Sequence, residues 1–436
     1  MESIKVALLG TGTAGGGTFR VLQRNQSEIM RRAGRGIEIS VVGARNPERA
    51  RLSVGPNVRI ETDLMRVVTD PEVEIVVELI GGRDRALELI MAAIAAGKHV
   101  VTANKALLAN HGNEIFSAAQ AAGVTVAFEA AVAGGIPIIK ALREGLTGNR
   151  IEWIAGIING TSNYILSQMR DHGVTFEAAL AEAQRQGYAE ADPSFDIDGT
   201  DAAHKLSILG AIAFGVPMQF SKVYTEGIAG LTSDDIRYAE DLGYRIKLLG
   251  IARRTSLGIE MRVHPTLIPE RRLIANVEGV MNAVLVQSDA VGPTLYYGAG
   301  AGAEPTASAV VADLVDVTRL HTADPENRVP HLAFQPDSLA NTPILPMSAV
   351  TTSYYLRLRV ADRAGVVADI ARILADRAIS IDAFIQKEPS PAQAQTDIVL
   401  LTHATREEAM DAAIVSIEAL ATVLKSVTRI RLESLQ

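Results

Sequence analysis

Residues 4–9 (IKVALL) form an unbroken apolar run rich in β-formers, the pattern of a strand covered on both faces. A helical pattern follows from about Ala14 to Arg32, and a second strand pattern occupies 37–43 (IEISVVG). Strand patterns recur at 74–80, 99–103 and 124–128. The helical stretches between them, 84–96 and 111–122, close on Gly97 and Gly123, where a left-handed residue ends a helix. Strands alternating with helices predict a parallel, doubly wound α/β sheet over residues 1–135. After Gly134-Gly135-Ile136-Pro137 the periodicity changes. Residues 136–320 mix helical patterns (176–186, 201–213, 234–251) with strands (151–158, 221–225, 259–266, 280–288), an α+β domain. Residues 321–350 are rich in Pro, Asn, His and Asp with weak periodicity and read as a linker. From 351 to 436 the order is strand 353–360, helix 365–377, strands 380–387 and 396–403, helix 405–420 and strand 424–433. That βαββαβ succession is the ferredoxin-like arrangement.

Composition narrows the possibilities. A chain of 436 residues exceeds one compact core, and 48% hydrophobic with 21% charged residues is ordinary globular usage. The net charge of −8, without a long basic run, argues against a nucleic-acid partner. The N-terminus enters a strand directly, and no apolar stretch reaches the roughly 18 residues of a membrane helix. A cytoplasmic protein is the simple expectation. Cysteine is absent, which excludes disulfides, zinc–thiolate sites and iron–sulfur clusters. It also excludes oxidation of aldehydes through a cysteine thiohemiacetal. Any redox chemistry must therefore be plain hydride transfer, between carbinol and carbonyl or between amine and imine.

Gly10-Thr11-Gly12-Thr13-Ala14-Gly15 has G-x-G-x-x-G spacing between a strand and a helix. The first glycine permits the tight turn, the second lets a pyrophosphate approach, and the third lets helix and strand pack closely. Glycine-rich turns also arise from packing alone, but the following αβ units make a Rossmann-type dinucleotide site the better reading. The second strand runs into Gly43-Ala44-Arg45 without the acid that usually accepts from a ribose 2′-OH. Arg45 suits the 2′-phosphate of NADP, although a solvated loop arginine and NAD both remain open.

Val101-Thr102-Ala103-Asn104-Lys105 lies at the carboxyl end of a strand, the edge where such sheets hold ligands. Residues 183–205 gather Glu190, Asp192, Asp196, Asp198 and Asp201 in a Gly- and Pro-bearing loop before a helix. Clustered acids suit a metal or an ammonium group; a solvated acidic loop is the plain alternative. Asp201 and Lys205 stand i, i+4 on a helix (AAHKLSILGAIAFG) that is apolar nearly all round. A surface ion pair is the bland reading, but charges at the head of a buried helix are expensive unless they serve a site.

These segments carry a resemblance. Gly187-Tyr188-x-Glu190-x-Asp192-Pro193 with Asp201-x-x-x-Lys205, VTANK, NGTSNYI, GGIPI (134–138) and GAGAG (298–302) resemble the homoserine dehydrogenase family, in order, to about residue 318. The tail resembles an ACT domain. The turn departs locally, with Ala14 where a branched residue is frequent. The resemblance implies reversible reduction of L-aspartate 4-semialdehyde to L-homoserine by NADPH or NADH. It implies Lys205 as acid/base, Lys105 as a second catalytic lysine next to Thr102 on the cofactor side, and Gly187 and Gly302 beside the cofactor. Asp201 and Asp196 would orient substrate, Glu190 would meet its amino group and Thr161 would line the pocket. A structural sodium ion would be held around Glu129, Val132, Gly134 and Ile136. Asp362 and Gly365, in the first turn of the ACT module, would bind L-threonine as feedback effector; a pure dimerisation module is the alternative. A homodimer or homotetramer is expected.

Overall fold

The computed structural model describes residues 2–321, 328–386 and 394–435. Its strands, in chain order, are β1 (Ile4–Leu9), β2 (Ile37–Gly43), β3 (Arg59–Glu61), β4 (Ile75–Glu78), β5 (His99–Thr102) and β6 (Val126–Ala127). Then come β7 (Ile151–Ile157), β8 (Tyr224–Thr225), β9 (Tyr244–Arg254), β10 (Ile259–Pro269), β11 (Met281–Ser288) and β12 (Gly292–Ala299). The last are β13 (Thr351–Ala361), β14 (Ile381–Gln386), β15 (Gln395–Thr402), β16 (Thr405–Arg406) and β17 (Thr428–Leu432). Two compact units interleave along the chain. Met1–Ile158, Ala203–Ser221 and Met281–Thr342 form the first, and Asn159–Ala202, Lys222–Val280 and Pro343–Gln436 form the second.

The first unit holds the parallel sheet in the order β3-β2-β1-β4-β5-β6. β1 is covered on both faces, with Val6, Leu8 and Leu9 wholly buried, as its continuous apolar run requires. β7, β11 and β12 pair antiparallel in the same unit. The helix expected over 14–32 is two helices, Thr13–Arg24 and Gln26–Ala33, because Asn25 leaves helical geometry. The helix expected at 111–122 starts at Lys105, where Asn104 Oδ1 accepts from the Leu107 amide (3.1 Å). Helix Pro47–Val54, strand β3 and helix Leu64–Val68 lie where no element was expected; they are too short for periodicity to register.

The described part of the expected linker is not slack. Arg143 donates to the carbonyls of Val329 (2.9 Å) and Pro330 (3.1 Å), and the Ala340 amide donates to the Gly215 carbonyl (2.7 Å). His331 Nε2 accepts from the Val126 amide (3.1 Å), and His99 Nδ1 accepts from the neighbouring Thr125 amide (2.9 Å). Burial pulls His331 down to about 3 and His99 down to about 4, so both rings stay neutral and able to accept. His331 thus closes the outer edge of β6, while His99 on β5 ties in the residue before it.

The second unit is built on the long antiparallel pair β9–β10. β10 pairs in parallel with β17, which continues through β13 and β15 to β14. The C-terminal βαββαβ module therefore shares one sheet with the segment before it. Its own core is Tyr354, Leu356, Leu358, Ile370, Leu374 and Leu400 with their neighbours. The helix expected over 234–251 is a correction: it is helix Ser233–Asp241 followed by β9, with Gly243 at φ 81° between them. The apolar run IKLLGIA satisfies either period, and pairing with β10 decides for strand. Helix Gly160–His172 stands where a turn was expected, its start capped by Asn159 Oδ1 on the Ser162 amide (2.8 Å). The ACT-like elements fall where the sequence put them, apart from residues 387–393, which lie outside the described residues.

Candidate active site

The glycine turn forms as the spacing demands. Gly10 has φ +89°, and a Cβ there would stand 2.8 Å from the Leu79 carbonyl oxygen. A Cβ on Gly15 would lie 2.0 Å from the carbonyl oxygen of Gly10, so only glycine closes this turn. Gly12 faces open space instead. No side chain caps the helix it starts, so the amides of Thr13, Ala14 and Gly15 are left for an anion. A cavity of about 430 Å³ opens over Gly10, Thr11 and Gly12 and is also lined by Arg45, Arg49 and Arg85. Arg45 was singled out from sequence; Arg49 and Arg85 were not, since nothing in the chain shows that two other elements turn toward the same cavity. Gly302, at φ +120°, starts helix Ala303–Leu320, whose Ala303 carbonyl presses on Gly17 of the dinucleotide helix.

Glu78 shapes the floor of this region and was missed. Its buried carboxylate accepts from the amides of Ile80 (2.9 Å) and Gly81 (3.1 Å) and from the Thr102 hydroxyl (2.7 Å). Thr102 in turn accepts from the Asn104 amide (3.0 Å), so its hydroxyl orders the VTANK turn. Lys105 occupies the first position of its helix. A cation at a helix N-terminus opposes the peptide dipole at a cost of about 0.3–1 kcal/mol, a local violation typical of functional positions.

The acidic segment divides on folding. Asn159, just after β7, is the hub: its Nδ2 donates to Asp201 Oδ2 (2.9 Å) and to Asp196 Oδ1 (2.7 Å) while its Oδ1 caps the next helix. Ser162 Oγ donates to the Asp196 carbonyl (3.0 Å), and Thr161 Oγ1 donates to the Tyr188 carbonyl (2.7 Å). The NGTSN segment thus pins both ends of the loop. Asn159 was not singled out, although its N-cap position was the available signal. Asp192 caps the turn Ser194–Ile197 through Ser194, whose hydrogen bonds hold its carboxyl below the usual range. Glu190 and Asp198 are exposed, and Gly187 (φ 76°) ends helix Phe176–Arg185. Among the described residues no group of three or more His, Cys, Asp or Glu could hold a metal ion.

Helix Thr200–Phe214 carries Asp201 and Lys205 one turn apart, both buried. Lys205 Nζ donates to the Ile158 carbonyl (2.6 Å), the residue next to Asn159. The charge pair at the head of an apolar helix is therefore held by two successive residues beyond β7.

Residues 129–136 include a turn in which Ala133 (φ 55°) and Gly134 (φ 47°) are both left-handed, and the groups they could offer a cation are oxygens, backbone carbonyls and the Glu129 carboxylate. A Cβ on Gly134 would lie 2.5 Å from the Gly300 carbonyl oxygen. The Glu129 oxygens accept from the amides of Ile139 (2.9 Å) and Lys140 (2.8 Å), and burial pushes its carboxyl up to about 7. The Ile136 carbonyl already accepts from the Ile138 amide (2.8 Å). The donor set suits a weakly bound alkali cation better than a transition metal.

A dinucleotide turn, two buried or half-buried lysines and no thiol define a nicotinamide-dependent oxidoreductase of the hydride-transfer class. Comparison with known proteins agrees and is more specific. Family models described as "Homoserine dehydrogenase, NAD binding domain", "Homoserine dehydrogenase" and "ACT domain" match residues 10–129, 137–315 and 354–420. The chain is 61% identical to a homoserine dehydrogenase of Pseudomonas aeruginosa and 58% identical to one of Neisseria gonorrhoeae, each over 100% of both chains. A solved homoserine dehydrogenase from Thiobacillus denitrificans matches with TM-score 0.96 and 70% identity, covering 100% of this chain and 99% of that one. A hyperthermophilic archaeal homoserine dehydrogenase in complex with NADPH matches 72% of this chain and 98% of its own with TM-score 0.63 and 26% identity. The chain belongs to the homoserine dehydrogenase family. No helix among the described residues is long and apolar enough to cross a membrane.

Proposed function

We propose that the chain interconverts L-aspartate 4-semialdehyde and L-homoserine with Lys205 as the proton-transfer group. The observation carrying this is Lys205 itself: a buried ammonium aimed by the Ile158 carbonyl, one helical turn from Asp201. Bound nicotinamide supplies or accepts the hydride. In the reducing direction the Lys205 ammonium polarises the aldehyde oxygen and delivers its proton as the alkoxide forms. In the oxidising direction its neutral amine takes the hydroxyl proton. Asp201 and Asp196, tied through Asn159, orient the substrate, and exposed Glu190 meets its ammonium group. Thr161 holds the Gly187–Tyr188 turn, and Lys105 adds a second cation on the cofactor side. The test is homoserine-dependent nucleotide reduction by wild type and Lys205→Ala.

The cofactor is NADP in this reading. Arg45, just past the end of β2, and Arg49, on the helix that follows, both line the cavity where a ribose 2′-phosphate would sit in this reading. Replacing both by alanine should raise the KM for NADP about tenfold or more per lost charged hydrogen bond and leave the KM for NAD unchanged. Equal loss for both nucleotides would reject the assignment. A sodium ion at the 129–136 turn would be structural. Exchanging sodium for choline chloride should lower the melting temperature by mass action, and an unchanged melting curve removes the ion from the account.

L-Threonine is the proposed effector of the C-terminal module. Gly365 (φ 96°) begins helix Val366–Ala375 without a side-chain cap, and Asp362 stands exposed just before it. Open helix amides of this kind suit a carboxylate. Threonine at millimolar concentration should lower activity and raise the melting temperature. If it does neither, the module only holds subunits together. The chain is further expected to be a homodimer or homotetramer, which light scattering of the purified protein reports directly.

A further inference from the structure

The C-terminal module reaches the acidic loop through a short, tightly packed segment, residues 224–228. β8 pairs in parallel with β10 at Arg262↔Tyr224 and Val263↔Thr225, and the Glu226 amide donates to the Val263 carbonyl (2.8 Å). On its other side the segment carries the loop. The Ile228 amide donates to the Ile197 carbonyl (2.9 Å). A Cβ on Gly227 would stand 2.3 Å from that carbonyl oxygen and 2.7 Å from the Asp198 Cα, so the two backbones touch without room for a methyl group. Gly199 meets the same segment, its missing Cβ 3.1 Å from Thr225 Cγ2. Any shift of 225–228 must move 197–199, and with it Asp196.

The side chain of Glu226 faces the other way, into the C-terminal module. Glu226 Oε2 accepts from Arg431 Nη1 (2.7 Å) and from the Tyr224 hydroxyl (2.8 Å). Arg431 belongs to β17, is fully buried, and also forks onto Glu407, which accepts from its Nε at 2.9 Å and from the Tyr354 hydroxyl at 2.7 Å. A bidentate guanidinium inside the module is thus held rigidly and offers its remaining nitrogen to the segment beneath the loop. Glu226 retains partial exposure, so it can be altered without opening the core.

We propose that Arg431 and Glu226 are positioning residues: through the 224–228 segment the C-terminal module fixes the loop bearing Asp196 and hence affinity for the amino-acid substrate. This rests on the assignment of the 187–201 loop to substrate but not on any effector. The module is then a working part of the substrate site even with no effector bound.

The test uses the full chain and steady-state homoserine oxidation without threonine. Glu226→Gln should raise the KM for homoserine about tenfold, the ordinary size of a coupling between sites, with the KM for the nucleotide unchanged and kcat within about twofold. Arg431→Lys, which keeps the charge but not the fork, should recover only part of what Arg431→Met loses, and Glu226→Gln added to Arg431→Met should cost little more. If Arg431→Met does not fold, Glu226→Gln alone decides. An unchanged homoserine KM in Glu226→Gln overturns the proposal. So does a parallel rise in both KM values with a lowered melting temperature, the signature of general loosening. Asp196→Ala separates the two layers. A silent Asp196→Ala removes the loop from the substrate site altogether, whereas a raised KM there beside a silent Glu226→Gln removes only the relay.

Discussion

Lys205→Ala is expected to lower kcat for homoserine oxidation by about 10²–10⁴-fold, the range for losing a positioned general acid–base. The melting temperature and nucleotide KM should change little. Lys205 sits on a helix whose other buried positions, Leu206, Ile208, Leu209 and Ile212, pack as an apolar face, and its ammonium donates to the Ile158 carbonyl. Losing one charged hydrogen bond costs about 1.5–3 kcal/mol of stability at most, and a melting curve beside the rate separates that cost from the catalytic one. Because the group acts in the transition state, kcat and kcat/KM should fall together. A variant that turns over homoserine at the wild-type rate would assign the proton to another group. A loss confined to KM would make Lys205 a binding residue instead.

Asp235→Ala is expected to have the largest effect on stability, about 3–5 kcal/mol, because it removes a wholly buried carboxylate on which five donors converge and leaves a largely covered cation without its partner. Asp235 is wholly buried. It accepts from Arg357 Nε (2.6 Å) and Nη2 (3.0 Å), from the Tyr355 hydroxyl (3.2 Å), and from the Thr232 amide and hydroxyl, completing a capping box on helix Ser233–Asp241. Arg357 lies on β13, so one carboxylate joins a helix terminus to the C-terminal module. Denaturant unfolding should show the loss as a shifted midpoint, with Tyr355→Phe, which removes one hydrogen bond, costing about 1 kcal/mol. Glu28→Ala, at an exposed pair with Arg31 and Arg32, should cost under about 1 kcal/mol. Equal small effects at Asp235 and Glu28 would show that burial does not govern the strength of these pairs.

Much of the site was legible because its residues announce themselves locally. Gly10 and Gly15 are the residues a strand-to-helix turn needs, and Asp201 and Lys205 are set by helical period on an otherwise apolar helix. Lys105 was legible only through its place in VTANK at the carboxyl end of a strand; that it begins a helix was not, since the helix was expected at 111–122. What escaped was whatever depends on long-range approach. Glu78 looks like any strand-end carboxylate until two following amides and Thr102 converge on it. Arg49 and Arg85 are ordinary surface arginines until their elements border one cavity. Asn159 reads as part of a turn until its amide joins Asp196 to Asp201.

The elements show the same division. Short-range rules set β1, the glycine turn, the capped helices and the βαββαβ order, since each depends on neighbours within a few residues. They also set the reaction class, since a chain without cysteine leaves simple hydride transfer. They could not tell strand from helix at 244–251, where both periods fit and the partner β10 lies fifteen residues further on. Nor could they show that β17 completes a sheet begun at β9, or that 328–342 binds back on the first unit. Parallel pairing, buried ion pairs and backbone-on-backbone contacts join residues far apart in the chain. Their free energy exists only once the fold has excluded water between them, so the tertiary structure alone decided them.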